Sequence, residues 1–141
     1  MGIIIDSYKY DRMDKASMAK PIVFCNPGEE MIDKAIAINI PMAEELQKQG
    51  SVMMRTMRME QDLINVLSSV SEEPVIKDFD VMFNPEYQMD VIKVFMNVYR
   101  KKAFSVIWPG RYEDGKLYYA EEGYRDYKVF DVNDYDITVV I

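Results

Sequence analysis

Val75-Ile76-Lys77-Asp78-Phe79-Asp80-Val81-Met82-Phe83-Asn84-Pro85-Glu86 holds the clearest signal for the fold. Its first part follows Pro74, is rich in β-branched and aromatic residues, and reads as a buried strand over 75–83 whose end carries acids. Asn84-Pro85 then has the form of a helix cap with proline in the first turn. A helix is expected from there to about Lys102, with Met89, Ile92, Phe95, Val98 and Tyr99 turned inward. Arg100-Lys101-Lys102 suits the negative end of its dipole. Ala103–Trp108 is again an apolar strand, closed by Pro109-Gly110. Strand, helix, strand is the unit of a parallel sheet.

The same grammar runs upstream. Ile22-Val23-Phe24-Cys25 is a compact apolar run that stops at Asn26-Pro27-Gly28, a strand followed by a turn. Glu29–Lys34 reads as a short helix with its acids early, Ala35–Ile40 as a second strand, and Pro41–Gln49 as a helix that Gly50 ends. Met53–Val70 has the strongest helical period. Met53, Met57, Leu63, Ile64, Val66, Leu67 and Val70 form a broad apolar face interrupted by Glu60, a core stripe whose methionines can also serve as adaptable contacts. Gly2–Ile5 is a short strand or arm, and Asp6–Ala19 has room for a turn of helix. Downstream, Asp114-Gly115 sits between Arg111-Tyr112 and Leu117-Tyr118-Tyr119 as a hairpin turn, and Asp136–Ile141 reads as a last strand. The expectation is a single α/β domain over residues 1–141, three-layered, with a mainly parallel sheet and a C-terminal antiparallel hairpin added at its edge.

Composition narrows the chemistry. The 141 residues carry a net charge of −7, one cysteine and no histidine. Without histidine, Ser-His and Cys-His nucleophile pairs and the common zinc sites are excluded, and Cys25 alone makes no intramolecular disulfide. No metal site is expected. No apolar run approaches the ~20 residues of a membrane span, and Met1-Gly2-Ile3-Ile4-Ile5-Asp6 lacks the basic and long apolar parts of a signal peptide. A soluble, cytoplasmic protein without membrane contact is expected. Residues 110–141 hold 4 basic and 8 acidic side chains with six tyrosines. The plainer reading of this tail is a solvated set of twisted strands. The functional reading is an acidic, tyrosine-rich surface for a protein partner.

Nucleotide binding is the natural function to test in such a fold. A phosphate-binding loop needs Gly-x-x-x-x-Gly-Lys-[Ser/Thr], which does not occur: the glycines lie at 2, 28, 50, 110, 115 and 123. Where the loop would follow Ile22–Cys25, Glu29 and Glu30 would repel a triphosphate, so ATP and magnesium are not expected. Asp78 and Asp80 stand where magnesium-binding acids stand in nucleotide hydrolases, although solvated or capping carboxylates are the plainer reading. Arg100 is a candidate phosphate-sensing arginine or a helix-end surface charge. Lys101, Lys102 and Arg111 are candidates to join Arg100 in a small basic patch, with Trp108 and Tyr112 as stacking residues.

Beyond these, Asp80-Val81-Met82-Phe83-Asn84-Pro85-Glu86, Asp90-Val91-Ile92-Lys93, Tyr99-Arg100-Lys101-Lys102, Trp108-Pro109-Gly110 and Leu117-Tyr118-Tyr119-Ala120-Glu121-Glu122-Gly123-Tyr124-Arg125-Asp126-Tyr127 occur in order. This succession resembles the small P-loop-containing protein family (BrxF) of type 3 BREX phage-defence systems. Ile38-Asn39-Ile40 with Glu45-Leu46 is similar to that family's Ile-Asn-Leu strand and following helix. The resemblance covers about residues 36–141 and is strongest over 80–127. The chain departs from it in lacking the Gly-Lys-Thr and the helix length between Cys25 and Ile38. Tyr124 stands where the family has histidine, and Glu122 where it has proline.

The resemblance implies a degenerate P-loop NTPase-like domain, with Asp78 and Asp80 as Walker-B-like acids and Arg100 as a sensor-like arginine, residues of a nucleotide site that lacks its loop. The leading expectation is a non-catalytic adaptor of a bacterial antiphage complex. It would bind other defence proteins through its sheet edge and through Trp108, Arg111, Tyr112, Tyr118, Tyr119, Tyr124 and Tyr127, and reach DNA only through partners. A nucleotide-binding ATPase-like subunit and an acidic, phage-encoded inhibitor imitating DNA charge are the alternatives, and homo-oligomerisation stays open.

Overall fold

A computed structural model of the chain describes residues 1–70 and 73–141. The elements run β1 (Ile3–Ile5), α1 (Ser7–Arg12), β2 (Ile22–Phe24), α2 (Glu29–Lys34), β3 (Ile36–Ala37), α3 (Asn39–Gln47), α4 (Val52–Met57) and α5 (Met59–Ser68). They continue with β4 (Val75–Lys77), α6 (Val91–Tyr99), β5 (Ser105–Ile107), β6 (Arg111–Glu113), β7 (Lys116–Tyr119), β8 (Lys128–Asp131) and β9 (Thr138–Val140). Among the described residues, six strands form a parallel sheet in the order β1-β9-β2-β5-β4-β3, and β6-β7-β8 form a separate antiparallel sheet.

Alternation along the parallel strands divides the core. Val23, Ile76, Val106 and Val139 point to one face, where they meet α3, α5, α6 and the small sheet in the larger apolar cluster. Ile5, Ile22, Phe24 and Val140 point to the other, against Tyr10 and Met13 and, from α2, Met31. The α/β class and the mainly parallel sheet match the sequence reading. The C-terminal hairpin does not: instead of extending the parallel sheet as an edge, it gains β8 and packs over the sheet's face. Aromatic rings make that seam. Phe83 stacks on Tyr119 at 3.8 Å, and Trp108 meets Phe83 and Phe130 edge-on at 5.7 and 5.6 Å.

Several boundaries differ from the sequence reading, each for a local reason. The strand expected over 75–83 ends at Lys77, because Asp78 takes a left-handed φ of +56° and Asp80–Phe83 closes into a 3-10 turn that buries Met82 and Phe83. Asn84 caps only a short turn, accepting from the Glu86 N–H. The helix proper begins after Asp90, whose carboxylate accepts from the Ile92 and Lys93 N–H groups. Only Ile36–Ala37 of the expected 35–40 strand pairs, and α3 starts at Asn39 with Pro41 inside its first turn. The long helix expected over 53–70 breaks at Arg58. That break removes Met53 and Met57 from the core stripe, leaving them 72% and 71% exposed, while Met59 is buried.

Candidate functional site

In an open parallel sheet, ligands bind outside the carboxyl ends of the strands, where successive connections leave for opposite faces. Here that point lies at β2: its connection through α2 runs on the Met31 face, whereas the segment after β5 covers the other. The turn after β2 offers little to a phosphate. Gly28 precedes α2 without a side-chain cap, and Glu29 and Glu30 occupy the first turn, Glu30 paired with Lys34 at 2.7 Å. Burial pushes the Cys25 thiol up to about 12, so it stays neutral and non-nucleophilic near pH 7.

Two strand places away, roughly 10 Å by ordinary strand spacing, β4 delivers Asp78 and Asp80. Asp78 is exposed at the left-handed turn. Because the strand has ended, alternation no longer aligns it with Asp80. The Asp80 carboxylate instead accepts a hydrogen bond from the Tyr119 hydroxyl at 3.0 Å. Burial, reinforced by Asp80, holds that phenol above its usual range. A second pair repeats the arrangement: Tyr135 donates to Asp90 at 2.6 Å, and burial together with this bond raises the Tyr135 phenol. The two bonds fasten the C-terminal segment to the loop and helix that follow β4.

Arg100 does not join these acids. It caps the far end of α6, next to the amino edge of the sheet, where the Ser105 N–H bonds the Pro74 carbonyl. Lys101 and Lys102 follow it there, whereas Arg111 lies beyond the carboxyl end of β5, so the three do not form one basic patch. The Arg111 guanidinium covers the Tyr118 ring at 4.3 Å and faces Glu113 at 3.7 Å. Trp108 and Tyr119, expected on a partner surface, are only 3% and 8% exposed. Trp108 donates through Nε1 to the Tyr118 carbonyl, and Tyr119 is pinned by Phe83 and Asp80, so neither ring is free to stack on a partner. Tyr112 accepts from the Gly115 N–H. Tyr112, Tyr118 and Tyr127 are half-buried, and Tyr124 is fully at the surface.

Three residues escaped the sequence reading. Asp90 carried a legible signal, an aspartate directly before an apolar helical run. Tyr135 carried none, since its partner lies 45 residues away. Asp62 on α5 is fully buried, and neither carboxyl oxygen has a hydrogen-bond partner. Burial raises its carboxyl, Arg58 and Lys48 oppose that, and Glu45 adds to it. Among the described residues, no group of three or more His, Cys, Asp or Glu side chains could hold a metal ion, and no helix is long and apolar enough to cross a membrane. Comparison with protein-family models, curated proteins and solved structures finds no match for this chain.

Proposed function

We propose that this protein is a non-catalytic adaptor of a bacterial BREX-like antiphage complex, a divergent relative of the small P-loop-containing BrxF family whose nucleotide site has degenerated. The observation that carries the reading is the fate of the inherited acids. Asp80 serves as the acceptor of a buried tyrosine, Arg100 stands at the opposite, amino end of the strands, and two glutamates follow the turn where phosphates would sit. The parallel sheet, with β2 at its switch point and Asp78 at the end of a nearby strand, supports descent from a P-loop-like domain. With Tyr119 and Tyr135 tied to Asp80 and Asp90, the C-terminal segment acts as a rigid platform for partner proteins, through its sheet edge and its accessible tyrosines Tyr112, Tyr118, Tyr124 and Tyr127.

The interspersed cations Arg111, Lys116, Arg125 and Lys128 argue against the DNA-mimic alternative, which needs an unbroken acidic face. The test is genetic and biochemical together. Omitting this chain from an otherwise complete set of the defence proteins is expected to prevent their stable association and abolish protection against phage. Normal assembly and protection without it would overturn the proposal.

A further inference from the structure

The outer edge of the small sheet has what is needed to accept another strand. β8 is a terminal strand of that sheet, pairing with β7 alone. The Val132 N–H bonds the Gly115 carbonyl at 3.0 Å, and in register with it Phe130 faces Leu117 and Lys128 faces Tyr119. Antiparallel pairing alternates, so the N–H and C=O groups of Val129 and Asp131 point away from β7. Among the described residues the Val129 groups and the Asp131 N–H bond to no other element, whereas the Asp131 carbonyl opens the 3-10 turn Val132–Asp134 as its cap. A shallow groove of about 440 Å³ beside this edge is lined by Gln88, Met89, Asp90 and Tyr135 and, from β8 itself, by Lys128, Val129 and Phe130. The Asp90–Tyr135 hydrogen bond makes that lining rigid.

Natural edge strands are blunted by shortness, charged side chains, proline or a bulge, and β8 has only the first two, as four residues with Lys128 and Asp131 at its ends. β8 has no proline, and its middle positions are Val129 and Phe130, with Val129 42% exposed. The chain that flanks β8 on either side is acidic and favours a basic occupant. Residues 121–136 hold six carboxylates against Arg125 and Lys128.

We propose that β8 is a docking edge for a basic, extended segment of a partner protein, which adds as a further strand beside Val129 and lays alternate side chains into the groove along Met89. Main-chain bonds supply the register, the groove takes the apolar positions, and the carboxylates select lysine or arginine at the others. This rests on the adaptor reading and gives it a partner chemistry.

The test titrates the full chain, labelled for amide NMR, with a short capped peptide of alternating lysine and valine. Saturable binding is expected, with the largest shifts at the Val129 and Asp131 amides and weakening as salt is raised. The glutamate–valine counterpart should not bind. Val129→Pro removes an outward-pointing N–H at a position where an edge strand tolerates proline, and should weaken binding at least tenfold. The same peptide N-methylated along one edge should lose as much against the unaltered protein, which keeps the test independent of how that variant folds. No binding by the basic peptide, equal binding by the acidic one, or full binding by the N-methylated one would overturn the proposal. Such a failure leaves the adaptor reading standing, because that reading is scored by complex assembly without this chain. Peptide binding by a chain that proved dispensable for assembly would do the reverse.

Discussion

Replacing Asp90 by alanine removes two things at once. Its Oδ1 accepts from the Ile92 and Lys93 N–H groups at 3.0 and 3.2 Å and so caps α6, and its Oδ2 accepts from the Tyr135 hydroxyl at 2.6 Å. Loss of such a cap costs about 1 kcal/mol. Tyr135 is 8% exposed, and orphaning its buried hydroxyl costs about 1–3 kcal/mol more. Asp90→Ala is therefore expected to destabilise by about 2–4 kcal/mol. Tyr135→Phe spares the cap but removes a bond to a charged acceptor, and should cost about 1.5–3 kcal/mol. In the double variant no hydroxyl is left orphaned, so the two losses should overlap by about 1–2 kcal/mol. Urea unfolding of the four proteins gives each value from the shift in midpoint at constant slope. A loss below about 0.5 kcal/mol for Asp90→Ala, or strict additivity in the cycle, would refute the claim that this pair fastens the C-terminal segment.

Two further substitutions probe other parts of the account. A Cβ on Gly110 would stand 1.8 Å from the Tyr118 carbonyl oxygen, the acceptor of the Trp108 indole, so Gly110→Ala should force the start of β6 away from β7, cost at least about 2 kcal/mol and raise tryptophan fluorescence quenching by water-soluble quenchers. Asp62 works in the opposite sense. A carboxyl held above its ordinary value binds its proton more readily folded than unfolded, so its contribution to stability is present at low pH and lost as pH rises through the folded value. Asp62→Asn should therefore stabilise the protein by about 1–3 kcal/mol near neutral pH. That gain should shrink toward zero as pH falls to about 4, and a gain independent of pH in parallel denaturation curves would show that the carboxylate is not strained.

Periodicity and turn chemistry made the elements legible but not all of their ends. Ile22–Phe24 and Thr138–Val140 are fully buried strands of a parallel sheet, and Val75–Lys77 and Ser105–Ile107 are strands of the same sheet buried at Ile76 and Val106, as short β-branched segments should be. The Asp114-Gly115 turn forms as read, with both residues at positive φ, the conformation a two-residue hairpin demands. Local pattern could not anticipate where Asp78 leaves the strand, because burying Phe79, Met82 and Phe83 against Phe95 and Trp108 is a tertiary demand. Nor could it assign partners to carboxylates. Asp78, Asp80 and Arg100 share a plausible spacing along the chain, yet α6 carries Arg100 to the other end of the strands, and Tyr119 reaches Asp80 from 39 residues away. The acids at the end of β4 are visible in sequence; what they bond to depends on how the small sheet packs.

The proposed function, a domain that holds partner proteins in place of nucleotide, faces its sharpest check in thermal unfolding with and without millimolar Mg-ATP, repeated with ADP. A ligand at ~100 times its Kd adds roughly 2.7 kcal/mol to the native state, which raises the midpoint of a domain this size by at least about 5 °C. No rise is expected with either nucleotide. A rise of that size, abolished by Asp78→Asn or Asp80→Asn, would contradict the proposed function and return the end of β4 to an active site.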